Sequence, residues 1–211
     1  MIYFTSDLHF GHANIIRLCG RPFADVDEMD RSLIERWNRK VGEEDTVYLV
    51  GDVVWDKRKV PYYMEQLRGR KILISSGNHD AGWANKDAYA PYFESRIPYL
   101  ETKFNGHPVT LCHYPLLEWK DSREEPPKKP GYLIHGHIHN RVSDEYRPLY
   151  LQPHALNAGV DVNGYEPVTF DELLENNQRF KMNALSSQED RDLLAERYRH
   201  LIATDSSQPY Q

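Results

Sequence analysis

Short apolar runs alternate with longer amphipathic segments along the first half of the chain. Continuous apolar or β-favouring runs cover residues 1–6, 46–50 and 71–74, a pattern typical of strands that are buried on both faces. Between the first two runs, Met29, Leu33 and Trp37 recur every fourth residue. This spacing predicts a helix that ends near residue 40. Strands that alternate with helices favour right-handed crossovers and a largely parallel sheet.

Capping and turn signals define further elements. Asp25 or Asp27 can cap the first long helix, and Pro61 suits the first turn of a helix over residues 60–67. Strand-like residues 99–103 and 109–112 flank Asn105-Gly106, which predicts a β-hairpin.

The last third of the chain contains a further strand-like run, a loop before it and a final helix. Residues 132–135 form another apolar run, and the charged, proline-rich residues 120–131 before it are expected to form a loop. A final helix is predicted from residue 187, with an apolar face at Leu193, Leu194, Tyr198 and Leu201. We expect one domain over residues 1–205 and a tail over residues 206–211.

Five of the strand-like runs end in Asp, Asn or His. The residues that follow these runs are Asp7 and His9, Asp52, Asn78 with His79 and Asp80, His113, and His137 with His139. One such ending would be an ordinary turn, but five of them at strand ends, where α/β sheets bind ligands, indicate a shared site. Imidazole, carboxylate and amide groups without cysteine argue against a structural zinc site. The pattern therefore predicts a catalytic centre for two metal ions.

The motifs, taken in order, resemble those of a known family. Asp7-x-His9, Gly51-Asp52, Gly77-Asn78-His79-Asp80, His113 and Gly136-His137-x-His139 are similar to the motif set of the calcineurin-like metallophosphoesterases. Residues 6–16 further resemble a branch of small prokaryotic and phage phosphoesterases. The resemblance implies an α/β fold, a four-layer α/β/β/α sandwich of mixed sheets flanked by helices, with the metal site at the carboxyl ends of the strands.

The same resemblance implies the roles of the site residues. One divalent ion would be held by Asp7, His9, Asp52 and His139, and the other by Asp52, Asn78, His113 and His137, so that Asp52 bridges. Mn²⁺ is the expected metal, with iron, zinc and nickel as alternatives. Hydrolysis would proceed by in-line attack of a metal-activated water on phosphorus. His79 would protonate the leaving oxygen, and Asp80 would orient the His79 ring.

Three residues are candidates for substrate contacts. His12 either contacts the phosphoryl group or orients a metal ligand through a hydrogen bond. Asn14 lies in the same loop, and the fork of the Arg21 guanidinium suits a phosphate. Residues 157–161 are expected to return to the sheet edge, without an assigned role.

Charge and length limit the substrate and the location. The chain has 211 residues and a net charge of −6, from 26 basic and 32 acidic residues, so a small phosphate ester or nucleotide is favoured over long nucleic acid. A phosphodiester, a nucleotide monoester and an RNA end all fit. A nuclease and a non-catalytic scaffold with this fold are the alternatives. The sequence contains no apolar run of about 18 to 20 residues, so we expect a cytoplasmic protein that does not bind a membrane. Cys19 and Cys112 are expected to be buried free thiols.

Overall fold

The first sheet contains four parallel strands. The computed structural model describes residues 1–124 and 129–205. The strands lie side by side in chain order, and they are β1 (Ile2–Thr5), β2 (Thr46–Leu49), β3 (Arg70–Ile74) and β4 (Ser95–Ile97). The prediction of a largely parallel sheet in this half is therefore confirmed.

The second sheet is mixed. Its strands also follow chain order, and they are β5 (Leu100–Phe104), β6 (His107–Leu111), β7 (Tyr132–His135) and β8 (Ala155–Asn157). Strands β5 and β6 are antiparallel, whereas β6, β7 and β8 run parallel to one another. The turn between β5 and β6 has positive φ angles at Asn105 (50°) and Gly106 (77°), which a two-residue hairpin turn requires. The predicted hairpin is confirmed.

Helices flank the two sheets. The described helices are α1 (Ala13–Cys19), α2 (Val26–Lys40), α3 (Val60–Met64), α4 (Arg147–Tyr150), α5 (Phe170–Ala184) and α6 (Gln188–Asp205). Helix α2 begins as predicted, because Asp25 accepts a hydrogen bond from the Glu28 amide at 2.8 Å. None of these helices combines the length and apolarity needed to cross a bilayer. The predicted class, an α/β protein with two sheets between helices, is confirmed.

The two sheets share an apolar core. Phe4 and Ile74 from the first sheet pack in one cluster with Leu111 and Ile134 from the second. The ring of Phe4 also meets Phe104 edge to face, with the ring centroids 5.1 Å apart. Burial of each such side chain contributes about 1.5 to 3 kcal/mol. This core fixes how the carboxyl ends of both sets of strands face each other.

Several elements differ from the sequence-based prediction. Strands β4 and β8 and helices α1, α4 and α5 were not predicted. The first four are short, so they carry little periodicity. Helix α5 does carry a signal, the Thr169–Glu172 capping box, which the sequence-based prediction did not use. Helix α3 stops at Met64 instead of residue 67. The two cysteines are free but only half-buried. The predicted tail over residues 206–211, and residues 125–128 of the predicted loop, lie outside the described part of the chain.

Helix α5 fixes the path of the chain at β8 through two polar side chains one turn apart. The Asn177 amide accepts from the Asn157 backbone N–H at 2.7 Å and donates to the Asn157 carbonyl at 3.0 Å. Lys181 is also buried, and its ammonium donates to the carbonyls of Gln152 (2.6 Å) and Ala155 (2.5 Å). These bonds hold the segment that continues into Asp161.

The buried Lys181 predicts a pH-dependent stability. Burial lowers the pKa of Lys181 from 10.5 to about 7, so the unfolded chain binds more protons than the folded one between these values. The free energy of unfolding should therefore rise with pH, by about 2 kcal/mol between pH 7 and pH 9 for this group. Other groups titrate in the same range, so the test is the difference between two proteins. Between pH 7 and pH 9, the free energy of unfolding measured with urea should change by about 2 kcal/mol more in the rising direction in the wild type than in Lys181→Met. The same pH dependence in both proteins would contradict the assignment.

Candidate metal centre

The carboxyl ends of strands from both sheets meet at one site. Asp7 and Asp52 follow β1 and β2, and the backbone N–H of Asp7 donates to the Gly51 carbonyl at 3.1 Å. His113 follows β6, and His137 follows β7. The Ser6 and Gly159 backbones form a β-bridge that joins the two sheets beside the site. The predicted residues thus converge from two facing sheets, and not from the edge of a single sheet.

The side chains form two groups that could each hold a metal ion. In each group the ligand atoms lie within 4.8 Å of one another, and the groups are Asp7, His9 and His139, and Asp52, His113 and His137. The Oδ2 atom of Asp52 lies 3.6 Å from His9 Nε2 and 3.4 Å from His113 Nε2. Asp52 therefore lies between the two groups, where a bridging ligand would have to be.

The backbone also joins the two groups. The His137 N–H lies 3.1 Å from each carboxylate oxygen of Asp7. The side-chain oxygen of Asn78 is 3.0 Å from His137 Nδ1. Asn78 thus lies beside the second group, where the sequence motifs had assigned it.

His79 lies at the open side of the centre. Its Nε2 is 4.0 Å from Asp52 Oδ2, and its side chain is 35% exposed. The His79 N–H donates to Asp52 Oδ1 at 2.9 Å, which fixes the turn that carries the ring. His9, Asp52 and His79 form a further group that could hold an ion, so the geometry allows His79 either role, proton donor or ligand.

Asp80 has a different role from the predicted one. It is buried, and its carboxylate accepts hydrogen bonds from the backbone N–H groups of Asp52 (2.6 Å) and Val53 (3.1 Å). The structure shows no hydrogen bond between this carboxylate and the His79 ring. Asp80 therefore holds the backbone turn at Asp52 and does not orient His79.

Two buried nitrogen atoms support metal binding. Nε2 of His9 and Nε2 of His113 are both inaccessible to solvent and have no hydrogen-bond partner. A buried polar atom without a partner costs about 1 to 3 kcal/mol, and a bound cation would remove this cost. Imidazole, carboxylate and amide donors suit manganese, iron, zinc or nickel. The residues present therefore fit a pair of divalent transition-metal ions.

The electrostatics of the centre favour the ligating forms of Asp52 and His9, whereas His113 must lose a proton to ligate. Burial opposes the ionisation of Asp52, but the neighbouring His113 and the backbone N–H of His79 outweigh burial and lower the pKa of Asp52 to about 2. Burial keeps the pKa of His9 well below its usual value, so this imidazole is neutral. Burial also lowers the pKa of His113, but the carboxylates of Asp52 and Asp7 outweigh burial and raise this pKa to about 9. A metal ion would replace the proton on His113, because only the neutral ring ligates.

The backbone is strained where the predicted ligands lie. Among the described residues, eight other than glycine have a positive φ angle, and five of them are predicted ligands: Asp7 (56°), His9 (52°), Asp52 (53°), His137 (73°) and His139 (52°). Each left-handed residue of this kind costs on the order of 1 to 3 kcal/mol. Strain of this kind persists only where the surrounding structure fixes it, which is typical of functional sites.

The motif glycines leave room for the ligands. A Cβ atom on Gly77 would lie 2.5 Å from the backbone nitrogen of Asp52. A Cβ atom on Gly136 would collide with the side chains of Ser6 and Asp7. Both glycines therefore permit the close approach that brings the carboxylates to the centre.

Arg21 lies behind the centre and not in a position to bind substrate. It is buried, and its guanidinium donates to the two carboxylate oxygens of Asp161 at 2.8 and 3.0 Å. It also donates to the carbonyls of Asp7 (2.7 Å) and Leu8 (3.0 Å). Because its donors are used inside the protein, the predicted phosphate contact of Arg21 is wrong. Its role is to hold the loop that carries Asp7.

Asp161 is the residue that the sequence reasoning missed. Its Oδ2 atom is 2.8 Å from His139 Nδ1, and the other ring nitrogen of His139 faces Asp7 Oδ1 at 3.8 Å. Burial opposes protonation of His139, but Asp161 outweighs burial and raises the pKa of His139 to about 10. With a metal bound, this carboxylate would keep the proton on Nδ1 and leave Nε2 free to ligate. No local sequence pattern predicts this contact, because 22 residues separate His139 from Asp161.

The remaining candidates differ in position. His12 is buried with its Nδ1 atom 3.4 Å from His9 Nδ1, which is compatible with orienting that ligand. Asn14 is exposed in the first turn of α1, and the structure records no hydrogen bond from its side chain to the centre. His135 is buried and bonds the Gly136 carbonyl at 2.9 Å, as expected for a packed residue.

Two facing sheets with this carboxylate and imidazole centre define a metallophosphoesterase type of protein. The family model for the calcineurin-like phosphoesterases matches residues 1–179. The chain therefore belongs to the calcineurin-like phosphoesterase family, whose members in general are metal-dependent phosphoesterases.

Relatives occur in archaea and phages. An uncharacterised protein of Methanocaldococcus jannaschii is 35% identical, with 81% of this chain and 87% of that protein covered. The gene 66 protein of Mycobacterium phage L5 is 32% identical, with 77% and 87% covered. The crystal structure of a protein of unknown function from Aquifex aeolicus matches with a TM-score of 0.61 and 28% identity, over 83% of this chain and 98% of that chain. These names state no substrate.

Removal of the Asp161 charge should weaken metal binding. We expect Asp161→Asn to lower metal affinity by about 10- to 100-fold, because His139 loses the carboxylate that fixes its ring. Competition with a chromophoric chelator measures this affinity. Asp171→Asn, an exposed carboxylate on α5, is the control. Since the unpaired Arg21 would also destabilise the fold, a double variant with Arg21→Met is measured alongside. Wild-type affinity in both Asp161 variants would refute the role.

Proposed function

We propose that this protein hydrolyses a small phosphate ester at a centre of two divalent metal ions. The observation that carries the proposal is the position of the Asp52 carboxylate, within 3.6 Å of ring nitrogens from both groups of ligands. A single buried carboxylate in that position can be shared by two ions, and two neighbouring ions are a common arrangement for phosphoester chemistry.

The proposed ligands are those that the sequence motifs implied. They are Asp7, His9, Asp52 and His139 for one ion, and Asp52, Asn78, His113 and His137 for the other. Manganese is the proposed metal, and iron, zinc and nickel fit the same donors. When bound, such ions would polarise the phosphoryl oxygens and lower the pKa of a water, so that hydroxide would be available at neutral pH for in-line attack on phosphorus.

The protein itself supplies rigidity and a proton. The strained loops and the Arg21–Asp161 pair fix the ligand positions, so little rearrangement is needed as charge develops on the phosphoryl group. His79 is the proposed general acid, because its partly exposed ring beside Asp52 can reach the leaving oxygen of a bound ester. That oxygen would leave as an alcohol after it takes the His79 proton.

The proposed substrate is a phosphodiester or a nucleotide-type ester. The net charge of −6 repels a long polyanion, so a nuclease acting on long DNA or RNA is less favoured. The two cysteines are free, which fits the proposed cytoplasmic location.

Asp52→Asn tests the shared ligand. A neutral amide bridges two cations poorly, so we expect loss of bound metal and of turnover together, by at least about 100-fold in turnover. Elemental analysis and hydrolysis of bis-p-nitrophenyl phosphate measure the two. Asp56→Asn is the matched control, because Asp56 pairs with Arg58 at the surface. An Asp52→Asn protein with two metals and full activity would exclude bridging.

His79→Ala tests the proton donor. If His79 is the acid, the variant should keep both metals, while alkyl esters should slow by about 10²- to 10⁴-fold and p-nitrophenyl esters much less. The reason is that p-nitrophenolate leaves without a proton. Metal content and the two rates are measured on the same preparation. Loss of one ion would assign His79 as a ligand, and equal slowing of both esters would refute acid catalysis.

A further inference from the structure

Trp55 is an exposed aromatic residue beside the metal centre. It is 47% exposed, whereas the other three tryptophans, Trp37, Trp83 and Trp119, are buried. Its backbone is fixed, because the Trp55 N–H donates to the Phe10 carbonyl at 3.0 Å. Trp55 follows Asp52 by three residues, so the exposed ring is held at a fixed position next to the centre.

The indole ring of Trp55 lies at the open side of the centre, beside His12 and His79. It stacks on His12 with the ring centroids 3.7 Å apart and the planes 10° from parallel. It also lies 4.9 Å from the His79 ring. Since His12 covers one face of the indole, the exposed part of the ring includes the opposite face. That face is available to a bound molecule next to His79.

We propose that Trp55 forms a subsite that stacks on a planar ring in the leaving group of the substrate. The proposal rests on the proposed function, in which His79 protonates the leaving oxygen. Whatever is attached to that oxygen must then extend beside His79, where Trp55 lies. Aromatic rings bind an indole face through stacking, and nucleobases do so with little dependence on their identity. The substrate class is thus a phosphate ester of an alcohol that carries an aromatic ring, either a nucleoside or an aryl-substituted alcohol.

Tyr114 provides a comparison on the other half of the centre. It is 40% exposed, and its ring lies 4.7 Å from the ring of His137. The described contacts of the Tyr114 ring are with His137 and His113, and not with His79. Tyr114 therefore borders the centre without bordering the proposed path of the leaving group. Substitution of Tyr114 should leave the preference for an aromatic leaving group unchanged.

Binding is tested by tryptophan fluorescence of the zinc-loaded protein. Adenosine 5′-phosphate should quench the emission in a saturable way, because Trp55 is the exposed tryptophan, and ribose 5-phosphate should not. The saturable quenching should disappear in Trp55→Leu and persist in Tyr114→Leu. Equal quenching by the two ligands, or quenching that survives in Trp55→Leu, would overturn the subsite.

Kinetics test the same subsite with matched esters. Benzyl and cyclohexylmethyl phosphates are compared, each as the monoester and as the methyl diester. The two leaving alcohols are similar in size, but only benzyl alcohol carries a planar ring. We expect the wild type to favour the benzyl ester by about five- to tenfold in kcat/KM, mainly through KM. Trp55→Phe should retain most of this ratio, and Trp55→Leu should bring it close to one.

The outcomes separate this proposal from the function on which it rests. A wild type with both metals that hydrolyses none of the esters contradicts the proposed function, while the fluorescence titration still decides whether Trp55 binds a ring. Hydrolysis of both members of each pair at equal kcat/KM contradicts the subsite alone. If the wild type prefers adenosine 5′-phosphate to ribose 5-phosphate but does not prefer benzyl to cyclohexylmethyl esters, the Trp55 subsite is specific for a nucleobase. If it shows both preferences, the subsite accepts any aromatic ring.

Discussion

The structure depends on a negative charge buried where two sheets meet. Asp52 lies among imidazole rings contributed by both sheets, and His113, not solvent, keeps it ionised. A carboxylate in such a position would be unfavourable if cations did not compensate for its lost hydration. The buried Nε2 atoms of His9 and His113 have no hydrogen-bond partner, and they too would be stabilised by a cation. Positive ions between the Asp52 carboxylate and these nitrogens would compensate for the lost hydration of both.

The cost of this arrangement is distributed over the surrounding structure. Ligand residues adopt left-handed backbone angles, and the motif glycines allow chain segments to approach closely. Asp80 anchors the turn at Asp52, while Arg21 and Asp161 tie the Asp7 loop to His139. The apolar core between the sheets supplies the stability that makes this strain tolerable. These contacts restrain the positions of the ligands, as electrostatic preorganisation requires.

The open side of the centre has different properties. His79 and Trp55 are partly exposed there, and neither is held by an ion pair comparable to that of Arg21. The residues that position the metal ligands thus lie on the buried side of the centre, and the residues that can contact a substrate lie on its open side. Under the proposed function, the buried side would hold the metal ions, and the loops at the rim would set the selectivity for substrate.

The sequence by itself determined the strand endings, the main amphipathic helix and, through the family resemblance of its motifs, the set of candidate metal ligands, because these depend on local periodicity and on short motifs. Only the tertiary structure decided the roles of Arg21, Asp80 and Asp161. Arg21 and Asp161 are separated by 140 residues, and Asp80 turns towards backbone amides 27 and 28 residues away. An arginine that binds phosphate and one that binds a buried carboxylate look the same in a sequence. The difference lies in which charged group the packing of the two sheets brings within reach.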